Sequence, residues 1–214
     1  MTVDQDLHRL LVIGAGGHAR VVIDIARAAG FEPVVALDLA GAGSTCNGVE
    51  VAGGDALAET FFANGLKHAV VAIGNNALRS KIAERLRTIG FKLPIIRHPS
   101  SILSQSAQIG EGTVIMPLGV INAAAVIGQM VIVNTSAVIE HDCVIGDGAH
   151  IAPGCRLGGT VSVGVGALVG IGCVIRPGAR IGDFAVVGAG STVIHDISCG
   201  DTAMGSPAVA RGSR

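Results

Sequence analysis

Residues 1–97 read as an α/β domain with a mainly parallel, Rossmann-like sheet. Residues 98–214 read as a parallel β-helix of hexapeptide repeats. Three observations predict this. A strand runs through a glycine turn into a helix near the N-terminus. A period of six residues continues without insertion from Ile102 onward. The composition is half apolar yet only 2% aromatic, with 32 Gly and neither Trp nor Tyr in 214 residues. So few large side chains cannot fill a bulky core; the interior must be thin and built from Val, Ile and Ala.

In the first part, Leu10–Ile13 is a short apolar run of the kind a buried parallel strand shows. It enters Gly14-Ala15-Gly16-Gly17-His18-Ala19. Val21, Val22, Ile25, Ala26 and Ala29 then recur at helical spacing until Gly30 stops the helix. Pro33–Leu37 predicts a second strand ending at Asp38, and Ala69–Ile73 a third ending at Gly74-Asn75-Asn76. Residues 77–89 predict a helix with Leu78, Ile82, Leu86 and Ile89 on one face. Strands alternating with helices indicate a parallel sheet.

The Gly14-x-Gly16-x-x-Ala19 turn fits the G-x-G-x-x-A fingerprint in the strand–turn–helix context that motif requires. Glycines let backbone approach a diphosphate, and the helix start offers amide donors and a favourable dipole. Asp38 stands where an acid could meet a ribose hydroxyl. His18, at the helix mouth, is either a phosphate or sugar contact or a plain first-turn residue. Asn75 and Arg79 follow the third strand, where open sheets bind ligands. Each also has a plain reading, as turn former and solvated helix residue.

From Ile102 to Ala203 the chain divides into 17 hexads, and 16 of their second positions are Leu, Ile or Val. The sixth position is nearly always small. Gly recurs at the third, where the turn is expected to need permissive backbone. Strict periodicity of six means a parallel β-helix, three hexads to a triangular coil. At strand spacing the prism would be roughly 27 Å long. Flat apolar sides suit a trimer. Five cysteines with no C-x-x-C pair read as small buried hydrophobes, and Cys155 and Cys173, 18 apart, should stack.

The seventh hexad breaks the pattern with Glu140-His141-Asp142 between inward Ile139 and Cys143. A histidine beside a carboxylate is equipped as a general base, because the carboxylate fixes its tautomer and stabilises the imidazolium. His150 follows nine residues later.

A formal net charge of −1 without a basic run argues against a nucleic acid polymer as partner. No apolar stretch approaches roughly 18 residues, so no membrane span is expected. Residues 1–10 lack a leader's apolar region, and the expected location is cytoplasmic.

These motifs carry a resemblance. GAGGHARVVIDIARAAG, AIGNNALRSKI, HPS, VINAAAVIG, VNTSAVIEHDCVIGDGAHIAPG and the closing GSPAVAR resemble the sugar acetyltransferases of bacterial surface-glycan synthesis, a family related to the sialic acid O-acetyltransferases. The likeness covers residues 10–211 and is strongest to members acting on nucleotide-linked 4-amino-4,6-dideoxy sugars. It implies a left-handed β-helix trimer with acetyl-CoA between subunits and a nucleotide sugar on the α/β domain. The implied reaction is N-acetylation of the C4 amine, with GDP-perosamine as expected acceptor, in O-antigen synthesis. A UDP-linked 4-amino sugar, or O-acetylation of sialic acid, stays open. The resemblance makes His141 the base and Asp142 its orienting carboxylate, with Glu140 at the substrate. His150 lines the acetyl site, and the Gly159 amide faces the thioester carbonyl. Gly14, Gly16, Gly17 and His18 form the phosphate loop. Relatives carry two successive acids after the second strand; here Asp38 is followed by Leu39, which removes the basis for a base-specific contact from the second.

Readings from other classes are an NAD-binding sensor built on the Gly14 turn, a structural trimer, and a zinc enzyme using His141, His150 and His195. The last would place His195 about 12 Å beyond His150 at strand spacing, too far for one ion, so no metal is expected.

Overall fold

A computed structural model of the protein describes residues 8–211. Residues 1–7, read above for a leader, lie outside that range. The chain divides into two compact units between Pro99 and Ser100.

The first unit holds β1 (Arg9–Ile13), α1 (Gly17–Ala28), β2 (Glu32–Leu37), β3 (Thr45–Cys46), β4 (Val49–Gly53), α2 (Ala58–Ala63), β5 (His68–Val71) and α3 (Asn76–Ile89). The sheet order is β3-β4-β2-β1-β5. β1 pairs in parallel with β2 and β5, and β2 pairs in parallel with β4. The β3–β4 hairpin is antiparallel and was not anticipated. Its turn is Asn47-Gly48, both at positive φ, the dipeptide that suits a two-residue hairpin. β1 is buried from Leu10 to Ile13, which is why it reads as a continuous apolar run. α1 starts earlier than its apolar stripe and turns Ala19, Val22, Ile23, Ile25 and Ala26 inward, leaving Val21 exposed. The third predicted strand ends at Val71 instead of Ile73; Ala72 and Ile73 already belong to the ligand-side loop.

The second unit is a left-handed β-helix whose three faces are built from two-residue strands. One face runs from Ile102–Leu103 through Val138–Ile139 to Thr192–Val193, the second from Gln108–Ile109 to Arg180–Ile181, and the third from Val114–Ile115 through His150–Ile151 to Val186–Val187. Strand partners are 18 residues apart, as in Val120↔Val138 and Ile132↔His150. The core is a column of second-position aliphatics and sixth-position Ala, Cys and Val.

Two expectations are corrected. The permissive turn position is the fifth, not the third. Gly112, Gly148, Gly154, Gly166, Gly172, Gly178 and Gly190 have positive φ there, and so do Ala124, Asp142 and Phe184. Third-position glycines answer to close packing: a Cβ on Gly110 would stand 2.6 Å from the Gln129 nitrogen, and one on Gly146 equally close to that of Val165. The 18-residue period also fails in the last coil, where Val186 pairs with Thr202 and Ile181 with Ile197. Two residues fewer shift Cys199 off the interior. It is exposed, while Cys46, Cys143, Cys155 and Cys173 are buried as expected. The antiparallel pair Thr202–Gly205 and Ala208–Arg211 closes the prism.

Candidate active site

The sheet order places a switch point between β1 and β5, since β1 leads to β2 on one side while β5 flanks the other. Open sheets bind ligands there, beyond the carboxyl ends of the strands. A cleft of about 490 Å³ occupies that position, lined among others by Gly14, Gly16, Gly17, His18, Asp38 and Gly74. Gly14 is required by the fold: its φ is +110° and a Cβ would stand 2.8 Å from the Ala72 carbonyl. Gly16, Gly17 and Gly74 are different. Nothing lies within 4 Å of a Cβ on any of them, and none has positive φ. Their missing side chains leave room in the cleft, not in the protein. Gly16 caps α1 without a side-chain bond, so the first-turn amides point into that room with the helix dipole behind them.

Asp38 lines the cleft and also binds backbone. Its Oδ2 accepts the Ala15 amide at 2.9 Å and its Oδ1 the Ala40 amide at 3.0 Å. It ties the end of β2 to the glycine turn, and so shapes that turn while lining the cleft. Asn75 caps α3, its Oδ1 accepting the Leu78 amide at 2.9 Å.

The solvated reading of Arg79 is corrected. It is only 1% exposed, neither solvated nor in the cleft wall. Its guanidinium donates to the carbonyls of Ile73 and Gly74 at 3.1 and 3.3 Å and to Asn76 Oδ1 at 2.9 Å. Burial lowers its pKa to about 10, leaving it charged at neutral pH. It therefore holds the loop after β5 and places a positive charge behind the cleft. His18 feels that charge. Burial first, and Arg79 second, lower its pKa to about 4, so the ring is neutral. Among the described residues its buried Nε2 has no hydrogen-bond partner. Leu39, 81% exposed, and Leu78, 45% exposed, line the apolar side of the cleft. The sequence reading missed them because exposed leucines carry no motif.

His141 sits where the chain turns from the first face of the prism to the second. Its Nδ1 lies 2.8 Å from Asp142 Oδ2. A carboxylate only accepts, so Nδ1 carries a proton, and in the neutral ring Nε2 presents its lone pair. Asp142 holds φ +57°, a left-handed conformation that Asp tolerates better than most residues. That geometry aims the carboxylate back at the preceding ring. The corner is pinned to its neighbours: Asp142 N donates to Ala123 O, and Thr160 N to His141 O, both at 2.9 Å. Gly159 lies one coil on, directly over the imidazole. A Cβ there would stand 2.5 Å from Nε2.

His150 opens a strand of the third face, opposite the His141 corner, so one chain does not bring the two together. Asn134 Oδ1 accepts the Thr135 amide, which directs Nδ2 toward His150 Nε2 at 3.0 Å. His150 Nε2 is thereby the acceptor of that bond. Among the described residues no group of three or more His, Cys, Asp or Glu could hold a metal ion, and no helix is long and apolar enough to cross a membrane.

A fold and corner of this kind define the left-handed β-helix acyltransferases, and comparison with known proteins agrees. Residues 9–86 match the PglD N-terminal domain, and residues 124–159 match the bacterial transferase hexapeptide pattern of six repeats. The structure of a mutant of perosamine N-acetyltransferase from Caulobacter crescentus, in complex with CoA and GDP-perosamine, superposes with a TM-score of 0.93 at 39% identity, covering 95% of this chain and 97% of that one. The acetyltransferase domain of PglB from Neisseria gonorrhoeae, in complex with acetyl coenzyme A, superposes at 0.91 with 38% identity, covering 95% and 99%. UDP-N-acetylbacillosamine N-acetyltransferase of Bacillus subtilis is 51% identical over 47 residues, a match spanning 22% of each chain. The chain belongs to the hexapeptide-repeat sugar N-acetyltransferases with a PglD-type N-terminal domain.

Proposed function

We propose that the protein transfers the acetyl group of acetyl-CoA to the C4 amine of a nucleotide-linked 4-amino-4,6-dideoxy sugar, with GDP-perosamine as acceptor, in surface-polysaccharide synthesis. The observation that carries this is the His141–Asp142 pair at a corner left open by Gly159. The amine attacks the thioester carbonyl, the carbon–sulfur bond breaks, and the nitrogen loses a proton as the amide forms. His141 Nε2 is placed to take that proton, and the leaving thiolate is protonated to CoA. Asp142 keeps the ring in the right tautomer. The cleft of the α/β unit takes the nucleotide diphosphate on the α1 amides with Arg79 behind them. Because His141 and His150 lie on opposite sides of one prism, a site using both is formed between subunits, as in a homotrimer. GDP-perosamine is favoured by near full-length likeness to a perosamine enzyme at 39% identity. A UDP-linked 4-amino sugar is the second reading, favoured by the shorter, more identical match to the bacillosamine enzyme.

The test is thiol release from acetyl-CoA with a panel of GDP- and UDP-linked 4-amino sugars. Turnover with GDP-perosamine is expected to lead. His141→Asn should lower it about 10²- to 10⁴-fold with little change in binding of either substrate. Retention of more than about a third of wild-type turnover would make His141 a binding residue instead.

A further inference from the structure

We infer that Asn122 is a positioning residue that makes Glu140 a fixed anion for the acceptor's ammonium group, and so selects an amine over a hydroxyl. The inference rests on the acetyltransferase reading above and deepens it. Asn122 lies one coil before Glu140 at the same corner of the prism. Its Nδ2 donates to Glu140 Oε2 at 2.9 Å. Asn122 and Glu140 occupy the third positions of successive coils at this corner, which reads Ser104, Asn122, Glu140, Gly158, Arg176 and Ile194 along the prism. Neither belongs to the prism's apolar core, so two polar residues bonded to each other there serve something other than core packing.

His141 does not need Glu140. Its Nδ1–H is already taken by Asp142. Glu140 turns away to Asn122, and its remaining oxygen accepts nothing among the described residues. The following coil has Gly158 at this position, which adds no side chain of its own beside the carboxylate. The result is a half-buried carboxylate with one oxygen anchored and one open, beside the imidazole that would receive the proton. An alkyl amine is an ammonium ion near neutral pH. Bound to the open oxygen by a charge-assisted hydrogen bond, it would be held next to the base before losing its proton. A hydroxyl at the same carbon is neutral and would gain only an ordinary hydrogen bond. An unanchored glutamate has several rotamers; the Asn122 bond removes that freedom before substrate arrives.

The experiment compares affinity for a nucleotide-linked 4-amino-4,6-dideoxy sugar with that for its 4-hydroxy counterpart, by titration calorimetry without acetyl-CoA, alongside thiol release. Wild type should prefer the amine. Glu140→Gln should reduce that preference about 10- to 100-fold, and Asn122→Ala about 3- to 10-fold, with the acetyl-CoA Michaelis constant unchanged. Asn122→Gly introduces the residue that Gly158 already supplies two coils further along this corner and should behave like Asn122→Ala, which separates the effect from misfolding. In the Glu140→Gln background, Asn122→Ala should have no further effect on the preference. A wild type that binds both sugars equally would overturn the inference, as would an Asn122→Ala variant with full preference. Wild type that binds neither sugar and releases no thiol would instead overturn the acetyltransferase reading, and this inference with it.

Discussion

Gly159→Ala probes the corner with a single methyl group. Gly159 has no positive φ, so its backbone accepts Ala without strain. The conflict is with the imidazole: the new Cβ would meet Nε2 at 2.5 Å and Cε1 at 2.6 Å. Ordinary contact is about 3.5 Å, so the ring must move by about 1 Å. His141 is more than half exposed and can swing toward solvent. Stability should therefore change by no more than about 0.5 kcal/mol, as for other surface substitutions. Catalysis should not escape so lightly, because misplacement by 1 Å can cost about 10²-fold. In the thiol-release assay kcat should fall about a hundredfold, while melting temperature and the nucleotide-sugar Michaelis constant stay near wild type. Combining Gly159→Ala with His141→Asn should give little further loss, since both act on one group. A Gly159→Ala enzyme with near-normal kcat, or a fully additive double variant, would refute the placement of Nε2 as the proton acceptor.

Three further outcomes follow from the same geometry. Gly16→Val should leave the fold intact by circular dichroism, because nothing lies within 4 Å of the new Cβ, yet raise the Michaelis constant for the nucleotide sugar far more than that for acetyl-CoA; equal effects would remove the cleft from the reaction. Gly146→Ala should destabilise the β-helix by about 1–3 kcal/mol in thermal or denaturant unfolding, since its Cβ would press on the next coil's backbone, and an unchanged melting temperature would contradict that packing. His18 has its pKa lowered from 6.5 to about 4, so in that interval the unfolded chain binds a proton that the folded one does not. Stability should fall as pH drops through the interval. His18→Asn should lose less melting temperature than wild type between pH 6.5 and 4, and an identical fall in both proteins would show that His18 is not held neutral.

Much of the fold is written in local pattern. A period of six with aliphatic second positions admits a β-helix and little else, and that pattern needs no long-range information to read. The same pattern misled at the third position, where glycine answers to the neighbouring coil's backbone rather than to φ. It misled again at Cys199, where the two-residue deletion from the final coil shows only as the one second position that is not Leu, Ile or Val. In the candidate site, the His141–Asp142 pair is legible because the two are adjacent in sequence. Asn122, one coil away from Glu140, is not.

The sequence by itself determined which elements form and which residues can do chemistry, because periodicity, glycine turns and a His-Asp pair are local properties. Only the tertiary structure decided what each polar group faces. Asp38 binds the glycine turn, Arg79 lies buried behind the cleft, and His18 is neutral. The structure also set His150 on the face opposite the His141 corner. Those outcomes depend on burial and on partners far away in the chain, and a side chain's charge, reach and protonation are set by those surroundings and not by its neighbours in sequence.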